Sequence, residues 1–216
     1  IPLDDSFFRP STALSFSYEK ESAVETVRSH ALCCAKKKGL DVTCETAPHY
    51  LTITRNEIED SGRFKMNPPI KGEEDRDALI AGIKDGTIDM IATDHAPHSR
   101  EEKNRGFAGS AFGIVGLETA FPVLYTKLAK TGIISMEKLI ELLYINPRKR
   151  FGLEVISVDE ILKSKKPTFT LWDMKSEYCI EPENFMSKGR STPFERWKVT
   201  GKCMATVVKG KLIYKG

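Results

Sequence analysis

The stretch IATDHAPHSREEK, residues 91–103, places Asp94, His95 and His98 within five residues of one another, and the whole chain has four histidines. Hydrolases hold divalent metals with imidazole nitrogen and carboxylate oxygen atoms and leave one coordination position open for water. A carboxylate beside such a metal can also accept the proton of that water. Asp94 is therefore a candidate metal ligand and general base, although the same residue could simply cap the turn that follows.

Two further polar residues, His49 in TAPHYL and Asn67 in KMNPP, follow other apolar segments. A single histidine after a strand is often a hydrogen-bonded structural residue, and asparagine before proline often forms a turn. Alternatively, His49 binds a metal, and the Asn67 amide both donates to and accepts from a polar planar ligand. Because each residue follows a predicted strand, as Asp94 does, we expect all three to meet in one pocket.

The elements that must position these residues alternate between strand and helix. Apolar spacing of three and four predicts a helix over residues 20–39, and a helix that begins with acidic residues is predicted over residues 73–86. The segments TALSFSYE, DVTCETAPHYL, FKMNPPI and IDMIAT are predicted to supply strands. This alternation predicts an α/β fold with a parallel sheet or barrel.

The second half of the chain predicts more helix and then a β-rich tail. One helix is expected over residues 113–132 with an interruption at Pro122, and another from an N-cap at Ser135 to a stop at Asn146-Pro147. After about residue 153, short β segments replace the helices, and a hairpin is predicted around Lys209-Gly210. The tail is therefore expected to be a small β module.

The composition excludes several classes of function. A net charge of +3 with dispersed lysines and arginines does not indicate a nucleic-acid or membrane-surface partner. No apolar run approaches the roughly 20 residues of a membrane span. Five scattered cysteines without a CxxC motif argue against a disulfide framework and a thiolate zinc site. We expect reduced cysteines and a cytoplasmic protein.

Six motifs occur together in one order: VTCETAPHYL, KMNPPIK, GTIDMIATDHAPHSREEK, GSAFGIVGLE, INPRKRFGL and STPFERWKV. Together they resemble the bacterial, zinc-dependent dihydroorotases of the amidohydrolase superfamily, over most of residues 20–214. Asn67 favours this group, because related hydantoinases and allantoinases usually have serine before the two prolines. The resemblance implies that residues 1–153 form the C-terminal part of a (β/α)8 TIM barrel and residues 154–216 a small β-sandwich module.

The resemblance also implies an activity and its cofactor. The activity would be the reversible hydrolysis of dihydroorotate to N-carbamoyl-aspartate in pyrimidine biosynthesis, with one or two zinc ions. His49 and Asp94 would bind zinc, and Asp94 would also act as general base and acid. Asn67 and His98 would contact the substrate, and the Phe112-Gly113 backbone would hold its ring.

Other parts of the family pattern are not found in this sequence. No two histidines form the His-x-His pair of the first barrel strand, and Phe16 stands where the fifth-strand histidine would align. A complete (β/α)8 barrel also needs about 250 residues. We therefore expect that the N-terminal metal ligands are lacking and that a missing N-terminal half or a partner in a homo-oligomer completes the site.

Two alternatives remain open at this point. The chain could be a non-catalytic amidohydrolase remnant with a structural or partner-binding role, an interpretation that Phe16 supports. It could also belong to another cyclic amidohydrolase of the hydantoinase type. Retention of His49, Asn67, Asp94 and His98 favours the dihydroorotase interpretation over the remnant.

Overall fold

Two short parallel strands form the framework of the site in the computed structural model, which describes residues 34–216. Strand β1, Glu45–Thr46, pairs in parallel with β2, Met90–Ile91. The predicted strand TALSFSYE, most of the first predicted helix and Phe16 lie outside the described residues. The parallel pairing agrees with the predicted α/β fold.

The chain between the two strands is mostly helical. Helix α1, Pro48–Thr52, follows β1, and α2, Glu73–Asp85, leads back to β2. Acidic residues fill the first turn of α2, and Gly86 ends it in the left-handed conformation with φ 83°. The acidic first turn suits the helix dipole, and Gly86 forms a glycine cap at the C-terminal end. The prediction of this helix is confirmed.

The predicted strand in FKMNPPI does not form. Gly62–Phe64 is a 3-10 turn. Ser61 caps its start, because the Ser61 hydroxyl accepts from the Arg63 N–H. The two prolines that follow lack the N–H groups that a strand ladder requires. Met66 and Ile70 are nevertheless buried, so the apolar residues of this segment indicate burial and not a strand.

Shorter helices follow β2. Helices α3 and α4 are Arg100–Lys103 and Gly106–Gly109, and α5, Ala120–Leu124, continues as a π-helical turn over Tyr125–Ala129. The predicted interruption at Pro122 is wrong, because this proline lies in the first turn of α5, where its missing N–H is not needed.

The next helix begins as predicted but ends later. The Ser135 hydroxyl accepts from the Lys138 N–H at 3.1 Å and caps α6, Met136–Ile140. A π-helical turn over Glu141–Ile145 then leads directly into α7, Asn146–Arg150. The predicted stop at Asn146-Pro147 is therefore wrong, because Pro147 lies in the first turn of α7, where its missing N–H is not needed. No helix within residues 34–216 is long and apolar enough to cross a membrane.

The tail forms one three-stranded antiparallel sheet after helix α8, Val158–Lys163. Its strands are β3, Phe169–Cys179, β4, Lys198–Val208, and β5, Lys211–Lys215, in that spatial order. Lys209 and Gly210 both have positive φ, which is the geometry of a tight hairpin turn, and the predicted hairpin is confirmed. The β-sandwich itself stays a prediction.

The tail and the segments that precede it share one hydrophobic cluster. Phe194 is fully buried between the two and packs with residues of both parts. The cluster comprises Ile53, Phe64, Met66, Ile70, Ile114, Val123, Ile180, Phe194 and Val199. Full burial of an aromatic or aliphatic side chain contributes roughly 1.5–3 kcal/mol, so the tail stabilises the segment that carries Asn67. The proposed boundary at residue 153 stays a prediction.

Candidate metal and substrate site

His49 and Asp94 occupy equivalent places after the two parallel strands. His49 comes three residues after the end of β1, and Asp94 three residues after the end of β2. Because the strands are paired in parallel, their carboxyl ends meet at one edge. The two side chains are brought within 3.7 Å, measured from His49 Nε2 to Asp94 Oδ2.

His49 is held inside the protein by the start of α1. Pro48 is the first residue of that helix, a position where its fixed φ favours helix and its missing N–H costs nothing. The His49 side chain is 1% exposed, and burial lowers its pKa to about 4. The imidazole is therefore neutral at ordinary pH, which is the form that binds metal ions.

Both ring nitrogens of His49 are buried without a hydrogen-bond partner in the described part of the chain. Leaving a buried polar group unpaired costs about 1–3 kcal/mol. Histidines at metal sites use one nitrogen for the metal and the other for a neighbouring acceptor. The unpaired nitrogens thus mark His49 as a residue that a ligand or a further segment satisfies.

Asp94 reaches the site through an unusual backbone conformation. Its φ is 49°, in the left-handed region that non-glycine residues seldom adopt. Such strain is commonly found where a side chain must be aimed at a functional site. The Asp94 side chain is 47% exposed, so its carboxylate faces the open side of the pair while His49 forms the buried side.

The pair fits part of a metal centre. His49 would supply a nitrogen ligand and Asp94 an oxygen ligand, the donor types that zinc accepts. Catalytic zinc sites usually have three protein ligands. Within residues 34–216, no group of three histidine, cysteine, aspartate or glutamate side chains is arranged to hold a metal ion.

Asn67 and Asp94 line the same cavity, which has a volume of about 360 Å³. This volume is within the range of small-molecule pockets. The Tyr50 hydroxyl donates to the Pro68 carbonyl at 2.7 Å and ties the Asn67 turn to α1. The exposed Asn67 amide has no hydrogen bond among the described residues and is available to a ligand. Charged neighbours in the cavity are Glu45, Lys71, Asp75 and Arg76.

His98 is not part of this cavity. It lines a neighbouring polar cleft of about 250 Å³ together with Arg63 and Arg190. Its Nε2 donates to the Phe112 carbonyl at 2.7 Å, and its Nδ1 lies 3.6 Å from the Glu102 carboxylate. Asn67 and Asp94 thus share one cavity, and His49 lies beside Asp94 without lining that cavity. His98 instead contacts the Phe112-Gly113 loop.

His95 has a structural position. Its Nδ1 accepts from the Gly116 and Leu117 N–H groups, both at 3.3 Å. The ring therefore holds the backbone that follows the Phe112-Gly113 loop.

The Phe112-Gly113 loop is packed closely against the segment after β2. Gly113 has φ 130°, and a Cβ there would come within 2.6 Å of the Ala96 carbonyl oxygen. Only glycine can occupy this position without displacing the neighbouring backbone. The Phe112 ring is 59% exposed, with the Lys65 ammonium 4.6 Å from its centroid.

One residue near the site, Lys103, was not predicted from the sequence. It is 5% exposed, and its ammonium donates to three backbone carbonyls. Burial, and secondarily the Lys65 ammonium, lowers the Lys103 pKa to about 8. In the sequence it belongs to the polar run SREEK, where no local pattern distinguishes it from an exposed lysine.

Comparison with known proteins gives a family match over most of the chain. A model of the amidohydrolase family matches residues 14–213. A dihydroorotase from Brevibacillus brevis is 47% identical over 195 residues, which is 89% of this chain and 45% of that protein. A dihydroorotase from Bacillus cereus is 48% identical over 181 residues, 83% of this chain and 42% of that protein. The chain spans less than half the length of these relatives.

Solved structures show the same fold. The L-hydantoinase (dihydropyrimidinase) from Arthrobacter aurescens is 27% identical with a TM-score of 0.74. The dihydropyrimidinase from Brevibacillus agri is 21% identical with a TM-score of 0.76. Each match covers 87% of this chain and 42% of the solved chain. The family and these structures imply the predicted TIM-barrel amidohydrolase fold.

Proposed function

The chain belongs to the amidohydrolase family, and within that family we propose that it carries part of the active site of a dihydroorotase. The reaction would be the reversible hydrolysis of dihydroorotate to N-carbamoyl-aspartate, a cytoplasmic step of pyrimidine biosynthesis. The observation that carries the proposal is the His49–Asp94 pair, whose Asp94 lines a cavity together with Asn67. Curated relatives named dihydroorotase, at 47–48% identity, support the choice of substrate.

Zinc, once bound at the pair, would polarise the ring amide carbonyl and lower the pKa of water. In hydrolysis, Asp94 accepts a proton from the attacking water as its oxygen adds to the amide carbon. When the C–N bond breaks, Asp94 returns that proton to the leaving nitrogen. The exposed Asp94 carboxylate suits this exchange, because it reaches the cavity and is not enclosed with His49.

The remaining residues would bind and orient the substrate. Asn67 offers both a donor and an acceptor to the polar edge of the ring. The Phe112-Gly113 loop offers backbone groups and an exposed aromatic face. His98 would act on the substrate through this loop or after a change in its own position, since its Nε2 is bonded to the Phe112 carbonyl.

The described residues supply two candidate ligands, so a third must come from outside them. We propose that a segment equivalent to the unmatched part of the relatives supplies it, on the same polypeptide or on a partner chain. The count of one or two zinc ions depends on that segment. The 216-residue chain alone should therefore bind zinc weakly and should not turn over dihydroorotate.

The proposal is tested with the complete enzyme, assembled from this chain and the segment that completes the site. Zinc-loaded enzyme is assayed with dihydroorotate and, in parallel, with hydantoin and dihydrouracil, rings that lack the dihydroorotate carboxylate. Turnover of dihydroorotate with little turnover of the other two supports the proposal. Preference for either uncharged ring overturns it.

A hydantoinase-type activity is the second candidate, favoured by the solved hydantoinase structures of this fold. The same substrate comparison decides between the two. A complete enzyme that binds zinc but hydrolyses none of the three rings would instead support the non-catalytic remnant. The isolated chain is the matched control in each assay.

A further inference from the structure

Three separate segments carry the residues proposed to contact substrate, and hydrogen bonds join all three. The Gly113 N–H donates to the Lys65 carbonyl at 3.0 Å and links the Phe112-Gly113 loop to the segment that leads to Asn67. His98 Nε2 donates to the Phe112 carbonyl at 2.7 Å. We call this set of segments the recognition loops: residues 65–67, His98 and residues 111–113.

Lys103 lies at the centre of the recognition loops. Its ammonium donates to the carbonyls of Lys65 at 3.1 Å, Ala111 at 2.8 Å and Gly113 at 2.6 Å. It therefore uses its three N–H donors on two different segments, residues 65–67 and residues 111–113. Its own helix, α3, begins directly after His98, so the third segment is attached to it by the chain.

The burial of the Lys103 ammonium is energetically unfavourable if the residue only fills space. It is 5% exposed and forms no ion pair among the described residues, and a buried cation without a carboxylate partner is costly. Methionine would cover the same apolar surface without that cost. Only the ammonium, however, can satisfy three carbonyls that converge from two loops.

The close packing around Lys103 leaves the loops few other arrangements. A Cβ on Gly62 would meet the Lys103 carbonyl oxygen at 2.2 Å, so the Gly62 backbone packs directly against the end of α3. The Ser110 hydroxyl donates to the same carbonyl at 2.9 Å. The Lys103 side chain is thus tied to the recognition loops, and its backbone carbonyl is bonded to Ser110, the residue directly before residues 111–113.

We infer that Lys103 is a positioning residue that fixes the distance between the Asn67 turn and the Phe112-Gly113 loop and thereby sets the affinity for the substrate ring. The inference rests on the proposed function for the identity of the ring. Lys103 does not touch the reacting atoms, so the bond-breaking step at Asp94 proceeds at its usual rate once substrate is bound.

The test uses Lys103→Met and Lys103→Gln in the complete zinc-loaded enzyme. Loss of all three donors in Lys103→Met should raise KM for dihydroorotate about tenfold and leave kcat within about threefold. Lys103→Gln keeps two N–H donors and should give an intermediate KM. The milder variant also provides the answer if Lys103→Met does not fold.

Lys36→Met is the matched control. Lys36 also donates to two backbone carbonyls, those of Gly86 and Thr87, and to the Asp89 carboxylate. These three partners directly precede β2, at the end of the strands opposite to the His49–Asp94 pair. Its replacement removes equivalent hydrogen bonds away from the recognition loops. KM should stay at the wild-type value, so a rise in KM in this variant too would show a general effect of destabilisation and overturn the inference.

Amide hydrogen exchange at Gly113 provides a readout that does not depend on activity. In Lys103→Met the Gly113 N–H should exchange at least about tenfold faster, because its bond to the Lys65 carbonyl loses support. Unchanged protection of Gly113, or a fall in kcat with KM unchanged, would overturn the inference. If wild-type enzyme does not act on dihydroorotate, the proposed function fails, and the exchange rates still decide whether Lys103 positions the loops.

Discussion

His49 Nε2 lies 3.7 Å from Asp94 Oδ2, and the two residues have opposite environments. The imidazole is buried and has no hydrogen-bond partner in the described chain, whereas the carboxylate is half exposed. A hydrogen bond between them would need a shorter distance. The geometry instead leaves space for a shared ligand, and this relationship underlies the predictions for the site.

Replacing His49 with leucine should separate stability from metal binding. Leucine has a similar size and removes two unpaired buried nitrogens, so the free energy of unfolding of the metal-free protein should stay equal or rise by about 1 kcal/mol. Zinc affinity of the complete enzyme should fall more than about a hundredfold. Thermal unfolding with and without zinc measures both, because zinc raises Tm only where it binds the folded state.

His95→Leu is the contrasting variant. Leucine at this position leaves the Gly116 and Leu117 N–H groups without their acceptor, so the free energy of unfolding should fall by about 1–3 kcal/mol. If His49→Leu were as destabilising as His95→Leu and still bound zinc tightly, His49 would be a structural residue.

Asn67→Ala should weaken substrate binding more than it slows chemistry. The Asn67 amide lines the cavity without a hydrogen-bond partner among the described residues, so its removal leaves the fold intact and takes hydrogen bonds only from the ligand. We expect KM to rise about tenfold with kcat nearly unchanged, as for loss of uniform binding. Steady-state kinetics measures this, with the exposed tail variant Asn184→Ala as the control that retains the wild-type KM.

The lowered pKa of Lys103 predicts a pH-dependent contribution to stability. Burial and the neighbouring Lys65 ammonium bring this pKa to about 8, against the ordinary lysine value of 10.5 that applies to the unfolded chain. Between these values the unfolded chain binds the proton and the folded chain does not, so the contribution of Lys103 to the free energy of unfolding rises with pH. It is largest above pH 10.5 and is lost as the pH falls to 8.

Urea unfolding of wild type and Lys103→Met at a series of pH values isolates this contribution. The free energy of unfolding of wild type minus that of the variant should increase by about 2–3 kcal/mol from about pH 8 to about pH 10.5. A difference that stays constant or decreases over this interval would mean that the three carbonyls hold the ammonium charged and that its pKa is not lowered.

Local sequence signals predicted the elements whose ends carry typical capping or turn residues. Helix Glu73–Asp85 has an acidic first turn and a glycine after its last residue, and the hairpin has Lys209 and Gly210 in the left-handed region. These signals act over a few residues and do not depend on the rest of the fold. The His49–Asp94 contact was also predictable, because parallel pairing brings equivalent strand ends together.

Features that depend on distant packing were not predictable in this way. The stop expected at Pro147 fails because a π turn precedes it, and FKMNPPI is buried without forming a strand. The position of His98 follows from its bond to the Phe112 carbonyl, and the burial of Lys103 from three carbonyls that lie elsewhere in the chain. Such contacts join residues far apart in sequence and leave no local pattern.

The most direct measurement is the turnover of dihydroorotate by complete zinc-loaded enzyme carrying Asp94→Asn. Asparagine has the same shape and tolerates the left-handed backbone at φ 49°, so the free energy of unfolding should change by less than about 0.5 kcal/mol. Its amide cannot accept the proton of the attacking water, and kcat should fall about 10²–10⁴-fold. Turnover at the wild-type rate in a folded, zinc-loaded Asp94→Asn enzyme would contradict the assignment of Asp94 and, with it, the proposed site.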